Sequence, residues 1–107
     1  MADDHILVLC TCPGNTVAAE ISTALIEQNL AACVNQVPGV KSWFRWEGHL
    51  QRDEEVLLLV KTTRARYAAV ETAIRKLHPY DTPEVIAVPI TAGSEAYLKW
   101  VSESTSS

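Results

Sequence analysis

The chain has no cluster of basic residues. Nine lysines and arginines face thirteen aspartates and glutamates, the formal net charge is −4, and the cations fall in ones and twos, as at Lys61, Arg64, Arg66, Arg75 and Lys76. No stripe of positive charge is available to track a phosphate backbone, so nucleic acid is not an expected partner. Long apolar runs are missing too. Stretches such as Val56 to Val60 fall far short of the roughly 20 residues that cross a bilayer, and Asp3, Asp4 and His5 stand where a basic leader would begin. Neither a membrane span nor a signal peptide is expected. An even cysteine count is also lacking: Cys10, Cys12 and Cys33 make three, and the first two sit too close along one extended segment to bridge comfortably. A disulfide framework is not expected, and a reducing, cytoplasmic setting fits.

The signatures of common enzymes are absent. There is no glycine-rich phosphate loop, no Gly-x-Ser-x-Gly elbow and no histidine spacing of a hydrolytic zinc site. A nucleophile pair made from Cys10 and His78 would need an oxyanion hole and a third group to orient the histidine, and no motif supplies either. The chain reads as a non-enzyme without an organic cofactor.

What is present is enough apolar material for one core: 48% of 107 residues are hydrophobic, which predicts a single domain spanning 1–107. The run "HILVLCTC" is β-branched and apolar, short for a helix, and stopped by Pro13-Gly14, so it predicts a buried strand. Asn15 is placed to cap a helix, along which Val17, Ile21 and Leu25 recur at four-residue spacing, with an end near Asn29. From Ala31 to Lys61 the pattern turns to strands. A long hairpin turning near Glu47-Gly48-His49 is predicted, with Pro38-Gly39 a kink or bulge in its first arm and a polar second arm projecting beyond the core. A second helix carries Tyr67, Val70, Ile74 and Leu77 on one stripe and must stop at His78, because a residue before proline is disfavoured in the helical region. "VIAVPI" predicts a last strand, edge-placed by Pro89, and Ser94-Glu95 opens a short helix with Tyr97, Leu98, Trp100 and Val101. The tail Ser102 to Ser107 is small and polar and is expected to fray.

This order predicts an α+β domain of the ferredoxin-like split βαβ type: an antiparallel sheet with two helices on one face, plus a short C-terminal helix. The opposite sheet face then lacks a cover. Trp43, Phe44 and Trp46 crowd the hairpin, so at least one large ring points away from the helices, and these three are the expected core of a homo-oligomer interface. An aromatic platform for bases is disfavoured by the acidic charge.

The segments "LAACVNQVPGVKSWFRWEGHL", "LLLVKTT" and "HPYDTPEVIAVPI", in that order, resemble the CutA family of divalent-cation tolerance proteins over nearly the whole chain, from about Ile6 to Trp100. The resemblance implies a ferredoxin-like fold, a tight homotrimer similar to that of the PII signalling proteins, a cytoplasmic home and a role in copper and heavy-metal tolerance. It further implies copper binding at Cys10 and at histidines just before the Pro-Tyr pair. Here the second of those positions is His78 and the first is Leu77, so one ligand position carries an alkyl group.

Thiolate and imidazole suit copper chemically. Each candidate also has a plainer reading: Cys10 a small buried hydrophobe, His78 a helix-ending donor beside exposed carbonyls, Cys33 a core residue among alanines. Cys10 and Cys12 point to one side of their strand, but a single Cys-x-Cys pair is weak metal evidence. Pro79 and Pro83 stiffen the connector around Tyr80, Asp81 and Thr82. In trimers of this shape small ligands bind between subunits, and Lys61, Tyr80 and Glu84 are the polar lining expected there by analogy of fold. That analogy sustains the alternative reading: a PII-like signalling or adaptor module whose ligand is a small anion or a partner protein.

Overall fold

The computed structural model describes residues 4–106. Asp3 and Ser107, which figure in the expectations above, lie outside these residues. Strand β1 (His5–Cys12) leads into helix α1 (Asn15–Glu27), the hairpin β2 (Cys33–Trp46) and β3 (His49–Thr63), helix α2 (Tyr67–Leu77), strand β4 (Val85–Pro89) and helix α3 (Glu95–Ser104). The strands form one antiparallel sheet in the order β2-β3-β1-β4. This is the split βαβ arrangement, with β4 at an edge, where Pro89 costs no ladder bond inside the sheet.

Side-chain alternation decides which face is the core. Along β1, Ile6, Val8, Cys10 and Cys12 are buried while the residues between them are partly exposed. Val56, Leu58 and Val60 stand opposite them on β3, and Ala18, Ile21 and Leu25 of α1 with Val70 and Ile74 of α2 close over this face. Removing apolar side chains such as Ile21 and Leu25 from water contributes about 1.5–3 kcal/mol each. Leu77, expected on the α2 stripe, is instead 39% exposed. The helix unwinds at the next residue, so its last position rides past the sheet.

Helix ends follow local chemistry, with two departures from expectation. Gly14, not Asn15, holds the N-cap position of α1; its carbonyl accepts the Ala18 N–H at 3.2 Å, and Asn15 is already the first helical residue. At the other end α1 stops at Glu27, two residues early, because Asn29 turns left-handed (φ 57°) and lets the Leu30 N–H reach back to the Leu25 carbonyl at 2.9 Å. α2 stops as expected, with His78 extended at ψ 134° ahead of Pro79. In the hairpin the register shifts between Val37 and Val40, so Pro38-Gly39 is a bulge, with Gly39 at φ 76°.

The C-terminal segment is ordered through Ser106, which corrects the expected fraying. Thr105 is 2% exposed, its hydroxyl donates to the Val101 carbonyl at 2.9 Å, and its own carbonyl accepts the Arg66 Nε–H at 2.6 Å. His5 Nε2 lies 2.8 Å from Ser102 Oγ. Since His5 alternates with the core residue Ile6, α3 sits on the sheet face opposite α1 and α2 and covers one end of it. The rest of that face stays open. Ile86 and Val88 of β4 stand opposite Leu9 and Leu7 there, and Trp43, Trp46 and Leu50 of the projecting hairpin are 63%, 63% and 73% exposed. The hairpin stretches the chain to 45 Å along its longest axis. Among the described residues no helix is long and apolar enough to cross a membrane.

Candidate metal centre

Cys10 and Cys12 project from one side of β1 into the helix-covered core, and both are completely buried. Their strand neighbours are aliphatic: Cys10 stands opposite Leu58 and Val85, Cys12 opposite Val56. His78 arrives from the end of α2, delivered by the extended backbone that Pro79 imposes, and is 6% exposed. The sulfurs of Cys10 and Cys12 and a ring nitrogen of His78 all lie within 4.8 Å of one another. The two sequence candidates, Cys10 and His78, are thus brought together. Cys12 joins them as a third donor beyond the two expected from the sequence. Its signal was the two-residue alternation; what was missing was the tertiary fact that α2 ends over this side of the strand.

The imidazole is held by both nitrogens. β4 pairs with β1 only as far as Cys10, so beyond that point β1 has no strand neighbour on this side, and the Thr11 carbonyl lies 2.8 Å from His78 Nε2. A carbonyl only accepts, so Nε2 carries the proton. Nδ1 then carries a lone pair, which accepts the backbone N–H of Tyr80 at 3.2 Å. Tyr80 extends the network: its ring lies 4.6 Å from the His78 ring, and its hydroxyl donates to Glu55 Oε2 at 3.2 Å. Burial, then the charge of Glu55, push the Tyr80 phenol up to about 12. The proline-bounded connector is therefore both a stiff link and one wall of the thiol site.

The thiols behave as a pair. Hydrogen bonding to Cys12, and then burial, hold the Cys10 thiol far above its ordinary range, with the nearby Glu84 and Glu55 carboxylates adding to the rise. The same hydrogen bond lowers Cys12 against the opposing effect of burial, so the two thiols titrate as one pair. Cys33 is elsewhere. With Lys61 it stands on the opposite sheet face, where the Lys61 ammonium donates to Asn35 Oδ1 and lies 4.0 Å from Cys33 Sγ. Lys61 also pairs with Leu7, toward the far end of β1 from Cys12, so within the chain it does not meet Tyr80 or Glu84. Glu84 is exposed.

A model of the CutA1 divalent ion tolerance protein family matches residues 6–104. The divalent-cation tolerance protein CutA of Thermus thermophilus is 48% identical over 99 residues, which is 92% of this chain and 96% of that protein. A CutA homolog of Xenopus laevis is 46% identical over 87% of this chain and 62% of its own length. Among solved structures, CutA1 of a psychrotrophic Shewanella superposes with a TM-score of 0.95 at 36% identity, each chain covered in full. Fold, sequence and the course of the chain agree along nearly its whole length, and on that ground the chain belongs to the CutA1 divalent ion tolerance family.

Proposed function

We propose that this protein serves divalent-cation tolerance by taking up copper in the buried pocket bounded by Cys10 and His78, without catalysing a reaction. The observation that carries the reading is the convergence of sulfur and imidazole donors within 4.8 Å in a water-excluded site. Copper favours such donors over the carboxylates of the surface. The names of the relatives support the tolerance role. A reducing, cytoplasmic compartment suits the function, since all three cysteines are free thiols.

Assembly as a homotrimer belongs to the same reading. Supporting it is the open apolar face, where Ile86 and Val88 are half exposed and continuous with the sheet, together with the bare Trp43, Phe44 and Trp46 of the hairpin. Apolar areas of this kind are normally covered by a partner.

A groove of about 530 Å³ beside the pocket favours a second reading. Arg75, Lys76, His78 and Tyr80 are among its lining, a set able to hold a small anion in the manner of a signalling module. Titration calorimetry of the reduced, metal-free protein with buffered copper separates the two. One copper per chain, weakened in Cys10→Ser, supports the metal reading; no copper uptake, with a small anion protecting Tyr80 to Glu84 from hydrogen exchange, supports the other.

A further inference from the structure

We infer that the metal-binding unit is the Cys10–Cys12 dithiol, that its ion is monovalent copper, and that His78 positions the sulfurs without ligating. The inference rests on the copper reading above and names its ligand set and oxidation state.

The argument starts from what each donor can still offer. His78 has spent both ring nitrogens: Nε2–H on the Thr11 carbonyl, Nδ1 on the Tyr80 N–H. Ligation through either would leave a backbone group without its partner. The sulfurs have no comparable obligations. Cys10 Sγ makes only a long 3.8 Å contact to the Thr11 carbonyl, which a metal replaces. Metal–sulfur bonds run to about 2.3 Å, so one ion spans two sulfurs up to about 4.6 Å apart, a separation compatible with donors lying within 4.8 Å.

The surroundings choose the ion. Divalent copper prefers a tetragonal set of nitrogen and oxygen ligands; here the His78 nitrogens and the Thr11 carbonyl are already engaged, Glu55 holds the Tyr80 hydroxyl, Glu84 is exposed, and Leu58, Val85 and Val56 offer no donor. Monovalent copper is satisfied by two soft thiolates in a line. The binding step is Cu⁺ plus two thiols giving a Cu(S)₂⁻ unit and two released protons, with no change of oxidation state. Its single negative charge lies beside the His78 ring and is lower than that of two bare thiolates. His78 acts through Thr11, the residue between the cysteines: by gripping that carbonyl it fixes the strand edge from which both sulfurs project.

The test is an anaerobic titration of reduced, metal-free protein with Cu(I) held by a chromophoric competing chelator, with copper X-ray absorption on the loaded wild type. One Cu(I) per chain is expected, with two sulfur neighbours and no imidazole scattering. Affinity should fall at least about a hundredfold in Cys10→Ser and in Cys12→Ser, the scale of losing one strong ligand, and stay unchanged in Cys33→Ser. His78→Gln, which keeps a donor for Thr11, should stay within about tenfold, the range of an outer-shell change. Imidazole in the absorption spectrum, or full binding by Cys12→Ser, overturns the dithiol assignment and leaves a Cys10–His78 site standing. Failure to bind copper in either oxidation state overturns both. The spectrum of the wild type requires no variant to fold.

Discussion

His78 Nε2 and the carbonyl oxygen of Thr11 are 2.8 Å apart, a hydrogen bond that ties the end of α2 to the backbone between two buried cysteines. It closes the strand edge that β4 leaves unpaired. Replacing His78 by alanine opens a cavity and strands the Thr11 carbonyl and the Tyr80 N–H. The expected loss is about 1–3 kcal/mol, from the missing packing of a buried ring and two part-buried groups left without partners. Urea denaturation at fixed protomer concentration measures it; a loss under 0.5 kcal/mol, about the level of a surface substitution, would show that the bond is not formed.

Tyr80 makes alkaline stability depend on pH. Its phenol is raised to about 12, by burial first and then by the Glu55 charge, against an ordinary value of 10.0. A group whose folded pKa is raised contributes stability fully present below its unfolded value and lost as pH rises through the folded one. The window is therefore pH 10 to 12. Tyr80→Phe should be less sensitive than wild type across that window, and a phenolate absorbance titration should lose its last-titrating tyrosine. Equal slopes in the two proteins would remove the Tyr80–Glu55 contact from the account.

The segment after Val101 is structural. Thr105 is buried and its carbonyl receives the Arg66 Nε–H, so truncation after Val101 removes a charge-assisted bond and uncovers the end of the sheet. A fall of about 1–3 kcal/mol is expected. Arg66→Ala should reproduce part of it, and a truncated chain melting at the wild-type temperature would restore the frayed-tail expectation.

These contrasts locate what could be read from sequence. The strand–helix order, the bulge at Pro38-Gly39 and the stop before Pro79 are local consequences of alternation, backbone restriction and a missing N–H, and each is legible in a few adjacent residues. The docking of Thr105 was not, because a tail of serines and threonines looks the same whether it faces water or offers a backbone carbonyl to an arginine 39 positions away. The same holds for the thiol pair. Alternation put Cys10 and Cys12 on one side, but only the packing of α2 decides that this side meets His78. Asn15 shows the opposite limit: a good capping side chain one residue too late, displaced by a glycine whose carbonyl does the work.

The open face predicts its own test. Trp43 and Trp46 are each 63% exposed, and the Arg52 guanidinium lies 5.7 Å from the Trp43 ring without covering it. If these rings are the core of a trimer interface, Trp43→Glu or Trp46→Glu places a desolvated charge at its centre. Light scattering should then report single chains, against the trimers expected of the wild type on that reading. A trimer that survives both changes moves the interface to Ile86 and Val88.

The tip of the hairpin carries a correctable strain. Glu47 and Gly48 form the two-residue turn with φ of 50° and 79°, the doubly left-handed geometry that matches the twist of the flanking strands. Gly48 adopts it without penalty, whereas the Cβ of Glu47 does not sit comfortably there. Asparagine is the residue that tolerates this position best, since its short side chain bonds to the local backbone. Glu47→Asn, which recreates the favoured Asn-Gly pair, should stabilise the protein by about 0.5–1 kcal/mol, the range seen when a residue is matched to its backbone. Hydrogen exchange localises the gain: amides from Arg45 to Leu50 should slow while those of β1 and β4 do not. A slower exchange spread evenly over the sheet would point to a global effect and away from the turn.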